Sequence, residues 1–203
     1  MDILQNFLVA FAFSFLGSIP PGTINLTVLQ LGLDEKIKIA LRFSFAAAII
    51  EYPYAWIAVK FSDYITSSTA ITGNFKLLTA VIMILLGMLN LWSVRKPTPL
   101  VKKFQESGLR RGLVLGILNP MAIPFWLAIT AYLTLQGWVN VTTTSGLHGY
   151  LFGVFLGAFV FLFTLTHLAK YLSRMLQSQS LIKIIPGLTL VMLGLYALID
   201  YFL

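Results

Sequence analysis

Glu51 is the residue in this sequence whose surroundings ask most for an explanation. It lies in the run Ala46-Ala47-Ala48-Ile49-Ile50-Glu51, roughly twelve residues into an apolar segment expected at about 39–60, which a rise of about 1.5 Å per residue puts near the bilayer midplane. An acid at that depth is costly unless it is paired, hydrated or protonated, and so marks a functional position by default. Three roles suit it: gaining and losing a proton, holding an ammonium group, or bonding the backbone that Pro53 leaves free at Ile49.

The complementary chemistry comes from two breaks. The first apolar segment carries no charge from Ile3 to Leu33, yet contains Ser18-Ile19-Pro20-Pro21-Gly22-Thr23-Ile24-Asn25. Neither proline donates a backbone hydrogen bond, and each clashes with the carbonyl four residues back, at Leu16 and Gly17. In hydrocarbon such freed groups are tolerated only where protein or a watery cavity receives them. A second break, Asn119-Pro120 followed by Pro124, interrupts the segment that opens the second half, and Gly17-Ser18-Ile19-Pro20-Pro21 aligns with Gly116-Ile117-Leu118-Asn119-Pro120. Matching breaks in two halves point to the binding site of a secondary transporter. A half-helix starting near Pro21 and another capped by Asn119, with Pro120 in its first position, would each aim a positive end at the midplane, ready for a carboxylate. Thr23 and Asn25 add polar groups. The expected binding residues are therefore Pro21, Gly22, Thr23, Asn25, Asn119 and Pro120, with Glu51 as proton carrier or partner of a substrate amine. An acid set against two positive helix ends suits a zwitterion better than a bare metal ion. The opposing reading is that the prolines only kink helices for packing.

Other chemistries find little support. With no cysteine there is no disulfide framework or thiolate site. His148 and His167 are separated by roughly 28 Å of helix and cannot share one haem within a chain. Glu51, Asp63 and the two histidines do not make a three-ligand metal site, and no phosphate loop or nucleophile triad appears, so the sequence calls for no cofactor, no metal and no enzyme activity. Tyr52, Tyr54, Trp56, Phe125 and Trp126 lie near the expected site and either line it or pack the bundle, while Trp92 and Trp138 read as interface anchors.

The elements that must position these residues are transmembrane helices. Hydrophobic residues make up 58% of the 203 and charged ones 10%, well under the roughly 25% charged of soluble domains. Long uncharged runs give spans at about 3–30, 39–60, 75–94, 112–135, 148–170 and 182–202. The absence of a basic leader before the first run predicts that it is kept as a helix. The net charge of +7 sits between spans, which argues for topology and against nucleic acid. Lys36, Lys38, Arg42, Arg95, Lys96, Lys102, Lys103, Arg110, Arg111, Lys170, Arg174 and Lys183 fall on one side, and only Lys60 and Lys76 on the other, which places both termini outside.

The expected fold is thus all-α, a polytopic bundle of about six spans in two inverted three-helix repeats. It forms one membrane domain over 1–203: repeat one at about 1–94, a basic cytoplasmic linker at 95–111, and repeat two at about 112–203. Phe75-Lys76 and Leu86-Gly87 match Ile182-Lys183 and Leu193-Gly194 at a constant offset, a trace of that repeat. The linker's Leu100, Val101, Phe104 and Leu109 alternate with basic residues, as in a segment lying on anionic lipid or a solvated loop. Ala169–Ile182 reads as an interfacial turn of helix and Gly137–Gly146 as a polar outside loop. Gly153 and Gly157 form a close-approach motif that serves packing within one chain or a homo-oligomer.

At these residues the chain resembles the lysine-exporter/threonine-efflux superfamily, the LysE/RhtB translocators. That family has six apolar segments in two repeats, a Pro-Gly-Pro-x-Asn-like motif in the first, an acid in the second and Asn-Pro in the fourth. Here these are Pro21-Gly22-Thr23-Ile24-Asn25, the run ending in Glu51, and Gly116 to Pro120. Thr23 stands in place of the motif's second proline, Glu51 where Asp is more familiar, and Pro20 precedes the motif. The resemblance implies proton-motive export of amino acids or related small solutes across a bacterial-type inner membrane. Two rivals come with it: a divalent-cation or other small-solute exporter on the same scaffold, and a non-transporting membrane scaffold subunit.

Overall fold

Residues 3–19, 22–67, 107–119 and 122–175 are described by the computed structural model, together with scattered positions between 77 and 88 and between 188 and 199, all helical. Spans three and six, the linker before Ser107, the repeat traces at 75–76 and 182–183, and both Pro21 and Pro120 lie outside those residues, apart from these positions. Among the described residues there are six helices: α1 (Ile3–Gly17), α2 (Thr23–Leu33), α3 (Ile37–Ser67), α4 (Gly108–Ile117), α5 (Ala122–Leu135) and α6 (Thr144–Met175). They make up four of the expected spans. Span one is α1 and α2, divided at the proline pair, and span four is α4 and α5, which meet at 65°. Within α6, Thr144–Ala169 is long and apolar enough to cross a membrane alone.

Spans two and five run longer than their apolar cores predict, because polar residues outside the hydrocarbon continue the helices. Thr143 opens α6, its hydroxyl accepting from Gly146 N at 3.1 Å, and Ser107 accepts from Arg110 N at the start of α4. The tail expected as a separate interfacial turn after Ala169 begins as an unbroken continuation of α6 to Met175.

Helices in lipid gain nothing from burying apolar surface against one another, so close approach must come from small residues. Two glycine rows supply it. On α6, Gly149, Gly153 and Gly157 face Ile3, Phe7 and Phe11 of α1, and a Cβ added at Gly157 would stand 2.8 Å from Ser14 Cβ. On α4, Gly108, Gly112 and Gly116 face Ile39, Phe43 and Ala47 of α3 in the same manner. Gly153 and Gly157 therefore pack within the chain.

In both rows residue numbers rise together, so α1 runs parallel to α6 and α4 parallel to α3. Phe45 meets Phe155, whereas Tyr52 meets His148, so α3 and α6 are antiparallel. An alternating six-span path has these relative directions. The pairing is also crossed: the first span leans on the fifth and the fourth on the second, each broken helix lying against a span from the other half of the chain.

Two apolar cores result. One gathers Ala10, Ala55, Ala58, Val59, Trp126, Leu133, Tyr150, Leu151 and Val154, and the other Val28, Leu31, Ala40, Phe43, Ala47, Leu115 and Leu162.

Candidate functional site

The first break is closed by its own side chains. Ser18 donates through both N and Oγ to Ser14 O, and Ile19 N reaches Leu16 O at 3.1 Å. Asn25 Nδ2 donates to Ser18 O at 2.7 Å, tying α2 to the end of α1 across the break. Thr23 has an exposed side chain and its carbonyl accepts from Thr27 Oγ1. Gly22 is the N-cap of α2, in extended conformation, with no side-chain cap. Among the described residues no acid lies in the first turn at the positive end of α2.

At the second break α4 ends at Ile117 with Leu118 as its C-cap, and α5 is described from Ala122 onward. Asn119 sits between them, its N bonded to Gly116 O and its carbonyl accepting from Ala122 N at 3.4 Å. Pro120, expected in the first position of this helix, lies outside the described residues. The freed Ile117 carbonyl accepts from Tyr54 Oη at 2.6 Å, so α3 completes the end of α4.

Glu51 lies one turn from Tyr54 on α3 and is half-buried. Its Oε2 accepts from the indole Nε1 of Trp126 at 2.6 Å; the Ile49 carbonyl is not its partner. Trp126 itself is 1% exposed. Among the described residues no lysine or arginine pairs with Glu51; the ion pair there is the exposed Asp34–Lys36 contact at 3.5 Å. Behind Trp126 stands Tyr150, edge-on at 6.4 Å and bonded to Thr130 Oγ1 at 2.8 Å. Phe125, packed edge-on to Trp126, presses its ring on Gly17 at the end of α1. The α3–α5 contact therefore brings together the acid, the Tyr54 tie to the second break and, through Phe125, the first break.

Counting along span two puts Glu51 at mid-helix, and it is midway along α3. Yet its neighbour Tyr52 bonds His148 Nδ1 at 2.6 Å, in the second turn of α6. Glu51 is therefore nearer the end of the bundle where α6 starts than its place in α3 implies, because α3 overhangs that start. His167 lies far down α6, on Phe163, away from this cluster.

Two contacts were hidden from sequence reasoning: Trp126 as donor to Glu51 and Tyr54 as donor to Ile117. The signal available was chemical. A buried indole N–H or phenol has to find an acceptor.

The cluster lies within residues 15–201, which match the family model described as LysE type translocator. The chain belongs to the LysE-type translocator family. No curated relative and no solved structure matches it. As a LysE-type translocator it is an all-helical membrane protein of a transporter family, not of an enzyme family.

Proposed function

We propose that this translocator exports small amino acids or related zwitterions across a bacterial-type inner membrane, both termini outside, driven by the proton motive force. The observation that carries the reading is Glu51: an acid held by the Trp126 indole, with no basic side chain paired to it among the described residues, between two broken helices. A carboxylate so placed takes its positive partner from a proton or a substrate ammonium. The open end of α2 is the complementary receptor for a substrate carboxylate. Gly22, Thr23 and Asn25 frame that end and Asn119 leads into α5; Pro21 and Pro120 belong to the proposed site by their place in the two sequence motifs. Rocking of the two interleaved halves about this cluster would expose it to each side in turn.

Among the described residues no group of three His, Cys, Asp or Glu stands together, so the cation rival gains no specific observation. The test is reconstitution in liposomes loaded with a labelled amino-acid mixture, with and without an imposed pH gradient. Selective, gradient-stimulated efflux is expected, and Glu51→Gln should remove the stimulation. Undiminished stimulation in Glu51→Gln would end the coupling role, and efflux of no amino acid from folded protein would end the substrate assignment.

A further inference from the structure

The connection between α5 and α6 reads in the sequence as a polar loop, but it is built into the core. Val139 is 2% and Val141 8% exposed, and both belong to the apolar cluster that contains Trp126, Tyr150, Ala55 and Ala58. The loop is also clamped to α1. Asn6, fully buried, donates from Nδ2 to Asn140 O at 2.6 Å and to Gly146 O at 3.0 Å, and accepts from Asn140 N on Oδ1 at 3.0 Å. Asn140 in turn fastens its own segment, its Oδ1 accepting from Thr142 N and Oγ1. Gly137, at φ +68° with no described residue within 4 Å of where a Cβ would stand, turns the chain where the segment leaves α5.

We propose that residues 136–143 are a lid closing the end of the bundle from which α1 and α6 start, with Asn6 as its latch and Val139 and Val141 as its pegs. The reasoning is comparative. Among the described residues, the core that these pegs fill lies between the Glu51–Trp126 cluster and that end. The helices around it are joined backbone to backbone along their glycine rows and do not part piecemeal. The loop is held to α1 instead by side chains: Asn6 and Gln5 bond it, and Trp138 rests on Phe13. Two valines fill the core, and Trp138 N and Val139 N bond back to Leu133 O beside the turn at Gly137. Opening it uncovers Ala55, Ala58 and Trp126 without disturbing either glycine row. This rests on the transporter family alone and not on the substrate or the proton.

The chain has no cysteine, so a single Ala55→Cys, buried under the lid, reports access without background. The experiment is the labelling rate of that thiol by a membrane-impermeant maleimide added to the lid side of oriented vesicles. Asn6→Ala is expected to speed labelling at least tenfold, since it removes both bonds to Asn140 and tenfold is about the factor for one net hydrogen bond. Val141→Thr, which leaves the latch intact and makes the peg polar, is expected to speed it as well, and serves if Asn6→Ala fails to fold. Labelling that is equally slow in wild type and both variants overturns the lid, as does access gained equally from the opposite side. Because the readout is accessibility, an absence of amino-acid efflux would leave the result readable.

Discussion

Replacing Trp126 by Phe keeps a buried ring against Tyr150 and removes the single N–H that Glu51 Oε2 accepts. If the indole fixes the carboxylate in a working position, Trp126→Phe should slow initial efflux about tenfold, the worth of one charge-assisted hydrogen bond, while the helical circular dichroism stays unchanged. Full activity in the folded variant would reduce Trp126 to packing. Glu51 and the prolines were legible beforehand because an acid and a proline pair are out of place in an apolar run, whatever the fold. Trp126 was not. A tryptophan among leucines looks the same whether it packs or donates, and only the approach of α5 to α3 separates the two.

At the scale of the element, α2 offers a test in which stability and function part company. Among the described residues a Cβ added at Gly22 meets nothing within 4 Å, so Gly22→Asp should fit and cap the first turn, stabilising the helix by up to about 1 kcal/mol. The same carboxylate would occupy the end proposed for the substrate. The expected outcome is an unfolding temperature at or above wild type with a raised KM for efflux, and an unchanged KM would remove α2 from the binding site. The existence and order of the helices were readable from hydrophobic runs, since chain length in hydrocarbon is a strong constraint. Their ends were not. α3 and α6 outrun their apolar cores on polar residues that hydropathy does not register.

Across the whole molecule, the long uncharged runs announced a helical membrane protein, but not which helices pair. The crossed pairing depends on which glycines face which helix, and that is a property of three-dimensional register. It predicts that residues 1–106 and 107–203, produced as separate chains, should co-purify as a complex, while either chain alone should be degraded; stable accumulation of one half alone would contradict the interleaving. The same arrangement has a consequence for synthesis. Asn6 and Ser14 enter the membrane on the first helix to be made, yet their partners are Asn140, Gly146 and Val154. Until the ribosome has delivered well over half the chain, those two polar side chains have to be sheltered by something other than their final neighbours, whether insertion machinery or a provisional fold of the first three spans.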